Sequence, residues 1–426
     1  MQINSPQMQV PSTLNSDFWK YWTGQTISNL GSSITLFALP LLVYKLTGSA
    51  LNLGITTAAE FLPYLLFGLL LGAWTDRVER KRMMILTDLA RALVIALIPL
   101  IAKFGALTVW WIYGIGFIHS TLTICFESGQ FAAIPALVNQ DDLVTANGHI
   151  QASYSAASVI GPLLAGALVA VMPISGLMTF DAGSFLISAL TLGLIKKSFN
   201  ASSSTNGEKK SIGHDVIEGL RYVIKHPVLR NISLMMALVN FVATTTGAQL
   251  VLFAKERLQA NDTQVSLLFS AGSIGIVVLA LAAGPLRKHF PFSKVALSAL
   301  MLDGLLTIVL AFMHWYWLAL VCWALISGVG TLFNINTASL RQAIVPNHML
   351  GRIMSIARVL AWSASPLGSL LGGLAIELTK NVVLVYAVIG LLTFLIPLIF
   401  SFTALGHAEQ YLLQKQEERA KAITLS

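Results

Sequence analysis

The sequence predicts an all-α membrane protein with twelve transmembrane helices in two six-helix bundles related by a parallel repeat. Three observations support this fold class. Hydrophobic residues make up 55% of the 426 residues and charged residues only 11%, whereas a soluble domain carries about 25% charged residues. Apolar stretches of about 20 residues, enough to cross a bilayer, follow one another along the whole chain. The second half of the chain also repeats a pattern of the first half.

The apolar stretches are separated by polar loops and define the predicted spans. Their bounds are 19–44, 50–74, 83–102, 108–131, 146–171, 175–195, 231–254, 264–284, 294–313, 316–338, 352–377 and 382–403. Tryptophans lie at several span ends, where amphipathic rings favour the headgroup level. We therefore expect an N-terminal bundle at 1–195, a cytoplasmic linker at 196–230, and a C-terminal bundle with a cytoplasmic tail at 231–426.

Lysines and arginines are distributed unevenly between the two sets of loops. One set contains Arg77, Arg80, Lys81, Arg82, Lys196, Lys197, Lys209, Lys210, Arg221, Lys225, Arg230, Arg287, Lys288, Lys294 and the basic tail. The opposite set contains only Lys45, Lys103, Lys255, Arg257 and Lys380. Because basic loops are retained on the cytoplasmic side, we expect a cell-membrane protein with both termini in the cytoplasm.

A polar segment at residues 198–213 interrupts the series of spans and has the composition of a flexible linker. After it, Val216, Ile217, Leu220, Val223 and Ile224 recur at helical spacing. This spacing predicts an amphipathic helix. The helix is expected either to lie on the cytoplasmic membrane surface or to pack beneath the protein as a spacer.

An offset of 207 residues aligns the two halves of the chain. GPLLAG at 161–166 matches GSLLGG at 368–373, and the same offset pairs Phe126 with Phe333. Parallel repeats of six spans are a known transporter architecture in which the binding site lies between the halves. The repeat therefore predicts two similar bundles that can move against each other.

The strongest local motif is GAWTDRVERKR at residues 72–82, between the second and third spans. Gly72 and Gly68, four residues apart, allow another helix to approach closely. Asp76 follows the carboxyl end of a helix, where the helix dipole disfavours a carboxylate, so we expect it to bind a basic group or the start of another helix. The basic residues can bridge to carboxylates or lipid phosphates. The alternative is a loop that only sets the topology.

This loop, Gly72-x-x-x-Asp76-Arg77-x-x-Arg80-Lys81-Arg82, resembles the signature loop of the major facilitator superfamily. One departure is Glu79, which stands where the family usually has glycine. The segment from Gly161 through Pro162 to Gly166 resembles the Gly-Pro-x-x-Gly-Gly motif of the antiporters, with Ala165 replacing one glycine. IPALVNQDDLVTAN at 134–147 and EGLRYVIKHPVLRN at 218–231 are similar to the macrolide-efflux and enterobactin-exporter branch.

The resemblance covers almost the whole chain and implies a proton-coupled exporter that works by alternating access. Asp76 would then latch the two halves at the cytoplasmic side, near the amino end of the eleventh helix. Gly161, Pro162 and Gly166 would shape the fifth helix at the interface of the halves. The fourth span lacks the arginine that many proton-coupled drug antiporters carry, so their proton route does not transfer to this chain.

Charged residues inside the predicted spans need a reason to be there, because each costs about 2.5–3.5 kcal/mol at the bilayer centre. Glu60 lies near the middle of the second span and Glu127 towards the cytoplasmic end of the fourth. Both are candidates for carrying the coupled proton, and Arg358 in the eleventh span is a candidate counter-ion for either. The alternative is a carboxylate that bonds a neighbouring helix or faces a wet cavity. Asp88 and Arg91, three residues apart, are expected to pair with each other.

In the resembling fold, spans one, four, seven and ten line the substrate cavity. The polar candidates on these spans are Gln25, Asn29, Asn240, Gln249, Asn334 and Asn336. Asn29 and Asn240 occupy roughly matching places in the two halves. The alternative for each of these amides is that it bonds one helix to another.

Several classes of function are disfavoured by the sequence. It contains no phosphate-binding G-x-x-x-x-G-K-[ST] loop, which argues against ATP as the energy source. It also lacks a His/Cys cluster with metal spacing and a nucleophile elbow, so we expect no metal, cofactor or enzymatic activity. The formal charge of +8 lies in particular loops, as membrane topology requires, so nucleic acid is not an expected partner.

The expected function is export of hydrophobic or amphipathic small molecules, such as a macrolide-like drug, by a monomeric proton antiporter in the lipid bilayer. A siderophore or lysophospholipid transporter is the alternative within transport. A membrane-embedded enzyme acting on lipids is less favoured, because no nucleophile and base stand out. A structural or sensor protein would leave the repeat unexplained.

Overall fold

The computed structural model describes residues 14–75, 78–139, 142–199, 212–345 and 349–409, which form fifteen α-helices and no strand. The helices are α1 (Ser16–Thr47), α2 (Ala50–Thr75), α3 (Arg80–Lys103), α4 (Val109–Leu137), α5 (Leu143–Leu168), α6 (Ile174–Gly193), α7 (Ile212–Lys225), α8 (Pro227–Ala248), α9 (Leu250–Glu256), α10 (Asp262–His289), α11 (Phe292–Phe312), α12 (Tyr316–Ile344), α13 (Leu350–Trp362), α14 (Ser365–Thr379) and α15 (Val382–Ser401).

Eleven helical segments of the described chain are long and apolar enough to cross a membrane. The one remaining predicted span, at 146–171, corresponds to α5, whose 26 residues extend about 39 Å at the usual helical rise. The first half of α5 contains Asn147, His149 and Gln151, which lower its mean hydropathy. With α5 included, the helices agree with the prediction of twelve spans.

Two predicted spans are divided in the structure. The seventh span consists of α8 and α9, which meet at Gln249. The eleventh consists of α13 and α14, which are separated at Ser363 and Ala364. Pro366 explains the second break, because its nitrogen has no hydrogen to donate to the carbonyl four residues earlier. The spans predicted at 231–254 and at 352–377 are therefore present, and each contains a break that the run of apolar residues does not indicate.

The helices form two bundles with the same internal packing. In the first bundle, α1 packs on α5 and α6, α3 packs on α4 and α6, and α2 packs on α4. In the second bundle, α10 packs on α12, α11 packs on α12 and α15, and α8 packs on α14 and α15. The bundles meet mainly where α2 packs on α14 and where α5 packs on α10. The predicted architecture of two related six-helix bundles is confirmed.

The buried apolar residues show that the bundles join at one end. One cluster combines both bundles, with Phe37 and Leu41 of α1, Phe253 of α9, Leu268 of α10 and Tyr386 of α15. This shared cluster lies at the end opposite the start of α1, which we call the closed end. Two other clusters lie towards the opposite end, and each contains residues of one bundle only. We call this end, where α1 begins and α15 finishes, the open end.

Helix α7 packs on α8 and α13 at the open end. Val223 is buried in the core of the second bundle, whereas Ile217 and Ile224 are exposed on the outer side of the helix. The predicted amphipathic helix is therefore present and is attached to the second bundle. Most of the predicted linker at 198–213 lies outside the described residues.

Candidate transport pathway between the bundles

The glycines of the repeat make equivalent contacts within the two bundles. A Cβ at Gly161 of α5 would overlap Ser33 of α1, and a Cβ at Gly368 of α14 would overlap Phe241 of α8. Because α1 and α8 are the first spans of their bundles, the two contacts correspond under the repeat. Only glycine permits helix axes to approach this closely. The sequence repeat therefore records a repeated close contact between helices.

A second pair of repeated glycines lies between the bundles. A Cβ at Gly166 would overlap Ser266 of α10, and a Cβ at Gly373 would lie 2.7 Å from the carbonyl oxygen of Ala50 in α2. Thr263 also donates a hydrogen bond of 3.2 Å to the carbonyl of Gly166. These contacts place Gly166, the last residue of the predicted antiporter motif, at the bundle interface, whereas Gly161 contacts α1 within its own bundle. Pro162 lies between them inside α5.

We expect Gly368→Ala to destabilise the protein by about 1–3 kcal/mol through overpacking. The new Cβ would lie 2.7 Å from the carbonyl carbon of Phe241, and backbone atoms cannot rotate away as a side chain can. The matched control is Gly183→Ala in α6, because nothing lies within 4 Å of a Cβ there. The thermal midpoint in detergent should fall for the first variant only, and equal midpoints would contradict the repeated contact.

The basic loop between α2 and α3 is attached to the end of α6. Lys81 donates to the carbonyl of Ile195 at 2.6 Å, and Arg80 donates to the carbonyl of Phe199 at 3.4 Å. A lysine at the carboxyl end of a helix is also favoured by the helix dipole. Glu79, the departure from the family pattern, caps α3 by accepting from the amide of Arg82 at 3.1 Å.

The remaining members of the loop are not all described. Gly72 lies in the last two turns of α2. Asp76 and Arg77 lie outside the described residues, so the predicted latch to the eleventh span stays a prediction. The side chain of Arg82 pairs with Glu79 at 3.2 Å.

The two embedded glutamates lie along the contact between α2 and α4. Glu60 packs beside Gly116, and its backbone carbonyl accepts from the hydroxyl of Ser120 at 2.5 Å. Glu127 is exposed, and its carboxylate accepts from Tyr64 at 3.5 Å. Since Tyr64 follows Glu60 by four residues, the two lie on one face of α2 about 6 Å apart along its axis.

Tyr64 was not among the predicted site residues, although its i+4 spacing from Glu60 is visible in the sequence. Arg358, the predicted counter-ion, belongs to α13, but its side chain lies outside the described part of the structure. Its pairing with either glutamate stays a prediction.

Aromatic rings also lie along α2 and α4, the helices that carry the two glutamates. Phe61 of α2 stacks on Trp362 of α13 with ring centroids 5.0 Å apart, which joins the two bundles. Phe67 of α2 contacts Phe117 of α4 edge to face. Trp362 is also about half-exposed. This combination of aromatic surface and a few polar groups is typical of sites that bind small hydrophobic ligands.

Four of the six predicted cavity amides bond to the protein. Gln25 is buried and donates to Ser188 of α6 at 2.8 Å, and Asn336 is buried and donates to the carbonyl of Leu332. Asn240 donates to the carbonyl of Ala361 at 2.8 Å, which joins α8 to α13. Gln249 is fully buried at the closed end and donates to the carbonyl of Ala50.

The other two amides, Asn29 and Asn334, are not fully buried. Asn29 is partly buried in α1, and Asn334 is exposed on α12. The structure therefore does not bring the six amides together around one cavity.

A buried ion pair lies inside the first bundle. Arg91 bonds to Asp88 as predicted, and the hydroxyl of Ser188 donates to the second oxygen of Asp88 at 2.6 Å. The guanidinium carbon of Arg91 lies 4.3 Å from the ring centroids of both Phe126 and Phe185. The pair thus connects α3, α4 and α6 away from the bundle interface.

Comparisons with known proteins agree with this architecture. Residues 12–422 match the family described as transmembrane secretion effectors. The multidrug efflux pump Tap of Mycolicibacterium fortuitum is 28% identical over 360 residues, which cover 80% of this chain and 85% of Tap. The macrolide efflux protein A of Streptococcus pyogenes is 24% identical over 84% of this chain and 88% of that protein.

Among solved structures, a bacterial homologue of the iron transporter ferroportin in its inward-facing state is similar to this chain. The TM-score is 0.70 at 18% sequence identity, and the match covers 92% of this chain and 100% of that one. At this level of identity the similarity concerns the fold.

Proposed function

Because the chain belongs to the transmembrane secretion effector family of the major facilitator superfamily, we propose that it exports hydrophobic or amphipathic small molecules by alternating access. Like its relatives, the chain is a membrane transporter and not an enzyme. Two of those relatives are named for multidrug and macrolide efflux. The proposed cargo is therefore a drug-like compound of this general kind.

The observation that carries the proposal is the unequal joining of the two bundles. They share one apolar core at the closed end, whereas each has its own core towards the open end. A rocking motion of one bundle against the other exchanges the joined and separated ends. Such a motion around a site between the repeats is how alternating access works in transporters of this architecture.

The distribution of basic residues supports a cytoplasmic location for the open end. Lys81, Arg80 and Lys197 lie there, near the start of α1. Since basic residues are retained on the cytoplasmic side, both termini would be cytoplasmic and the described conformation would face inward.

Proton antiport is the proposed source of energy. Glu60 and Glu127 lie along α2 and α4, and embedded carboxyl groups in transporters commonly bind and release protons. The membrane potential adds about 2.3 kcal/mol per elementary charge for each 100 mV. One chain contains both bundles, so a monomer is sufficient to form the pathway.

The test is transport by the purified full-length protein in proteoliposomes, with a panel of macrolides, other amphipathic drugs, a siderophore and a lysophospholipid. We expect drug uptake by proteoliposomes in which the cytoplasmic side of the protein faces outward to rise several-fold when a pH gradient is imposed. Movement of the siderophore or lysophospholipid alone would support the alternative cargo. Drug transport that ignores the pH gradient would contradict proton coupling.

A further inference from the structure

Several polar contacts join the bundles at the closed end, among them the bond from Thr263 to the carbonyl of Gly166 and the three that follow. Lys45, at the end of α1, forms an ion pair with Asp262, at the start of α10. The hydroxyl of Ser49 donates to Glu377 of α14 at 2.9 Å. The third is the bond from Gln249 to the carbonyl of Ala50, at 2.7 Å. All three lie at or beside the shared apolar cluster, where the bundles must part if the closed end is to open.

The two carboxylates among these contacts have a second partner in their own bundle. Lys255 of α9 bonds to the other oxygen of Asp262 at 2.5 Å. Lys380 likewise bonds to the other oxygen of Glu377 at 2.6 Å. When the bundles separate, each carboxylate therefore keeps a lysine beside it. Opening the closed end therefore breaks one bond at each carboxylate but leaves neither carboxylate unpaired. An unpaired charge buried in the interface would be strongly destabilising.

The positions of Lys45 and Asp262 also favour an ion pair that can break and form again. The side chain of Lys45 is about half-exposed, so water replaces its partner when the ion pair breaks. Exposed ion pairs contribute little net free energy, for the same reason. Asp262 lies in the first turn of α10, where the helix dipole stabilises its carboxylate whether or not Lys45 is bound.

We propose that Lys45 and Asp262, supported by Ser49 and Glu377, form a reversible clasp that holds the closed end shut and breaks once in each transport cycle. This inference rests on the proposed alternating-access function and names positioning residues for it. Lys45 is the residue that crosses the interface, and Lys255 keeps Asp262 paired when the clasp is open.

The test measures how quickly a cysteine sealed behind the clasp reacts. Ala50 is almost fully buried between the bundles, so Ala50→Cys is the reporter, in full-length protein with Cys125 and Cys322 replaced by alanine. The protein is reconstituted in nanodiscs, where a charged maleimide reaches both faces. Lys45→Met removes the bond between bundles, and Lys255→Met is the matched control that removes the bond within one bundle.

We expect labelling to be about twofold to fivefold faster in Lys45→Met, the range that an exposed ion pair allows, and not faster in Lys255→Met. Raising the salt concentration should speed labelling of the protein with Lys45, because salt screens exposed charges, and should have little effect on Lys45→Met. Equal labelling in both variants, or no salt dependence, would overturn the clasp.

The labelling assay separates this inference from the proposed function. If the panel of compounds revealed no transport, the proposed function would fail, but the labelling rates would still decide whether Lys45 holds the closed end. Conversely, a protein that transports drugs and labels at the same rate with and without Lys45 would keep its function and lose the clasp. Lys45→Met changes a half-exposed side chain and leaves Asp262 paired with Lys255, so the variant is expected to fold.

Discussion

Replacing Glu127 with glutamine is expected to remove the response of drug transport to an imposed pH gradient. Glutamine has nearly the same shape and still accepts the hydrogen bond from Tyr64, but it cannot bind and release a proton in the physiological range. Gradient-driven accumulation of the drug in proteoliposomes should fall by about tenfold for each pH unit of gradient, because one unit supplies about 1.4 kcal/mol per coupled proton. Binding of the drug and downhill exchange should persist.

Three companion variants make this result specific. Glu60→Gln tests the second embedded carboxyl group and decides which of the two couples transport to protons. Tyr64→Phe removes the hydrogen bond from Tyr64 to Glu127 and keeps the carboxyl group, so coupling should survive. Glu218→Gln makes the same chemical change on α7, outside the pathway, and should behave like the wild type. Full coupling in both Glu127→Gln and Glu60→Gln would exclude these residues as proton carriers.

Replacing Arg91 with methionine is expected to cause the largest loss of stability. The side chains of Arg91 and Asp88 are almost completely buried, and removal of one partner leaves the carboxylate of Asp88 uncompensated. Breaking a buried ion pair in this way costs about 3–5 kcal/mol. The variant also loses the cation–π contacts with Phe126 and Phe185. The thermal midpoint in detergent should fall clearly, together with the yield of folded protein.

The double variant Asp88→Asn with Arg91→Met is the control. Its neutral amide still accepts from Ser188, and neither member of the pair leaves a charge behind. Replacement of both members of a buried pair is often close to neutral, so most of the lost stability should return. A single Arg91→Met variant that melts at the wild-type temperature would contradict a structural role for the pair.

Several parts of the fold could be predicted from the sequence because they depend on local composition. Span lengths follow from runs of apolar residues, and the repeat is visible as GPLLAG at 161–166 and GSLLGG at 368–373. The pairing of Asp88 with Arg91 follows from their spacing on one helix. The breaks at Gln249 and before Pro366 were missed, because continuous hydrophobicity conceals a short interruption.

The candidate site depends on the directions of individual side chains, which the sequence does not show. Six amides were selected because they lie on spans expected to line a cavity, but Gln25, Asn240, Gln249 and Asn336 bond to protein groups. Successive residues of a helix point about 100° apart, so the direction of an amide depends on how its helix is rotated against its neighbours. That rotation is set by packing with distant helices and has no local signal.

The sequence by itself determined that this protein is a membrane transporter with two repeated bundles. The lengths of its apolar runs, its basic loops and its repeated glycines are all local features of the chain. Only the tertiary structure decided that the bundles join at one end and that Lys45 meets Asp262 there, 217 residues away. The physical reason is that Lys45 and Lys255, the two lysines that pair with Asp262, lie at span ends. Charged residues are common at span ends in membrane proteins, so their positions in the sequence do not indicate a pairing. Their pairing exists only after the two bundles have packed together.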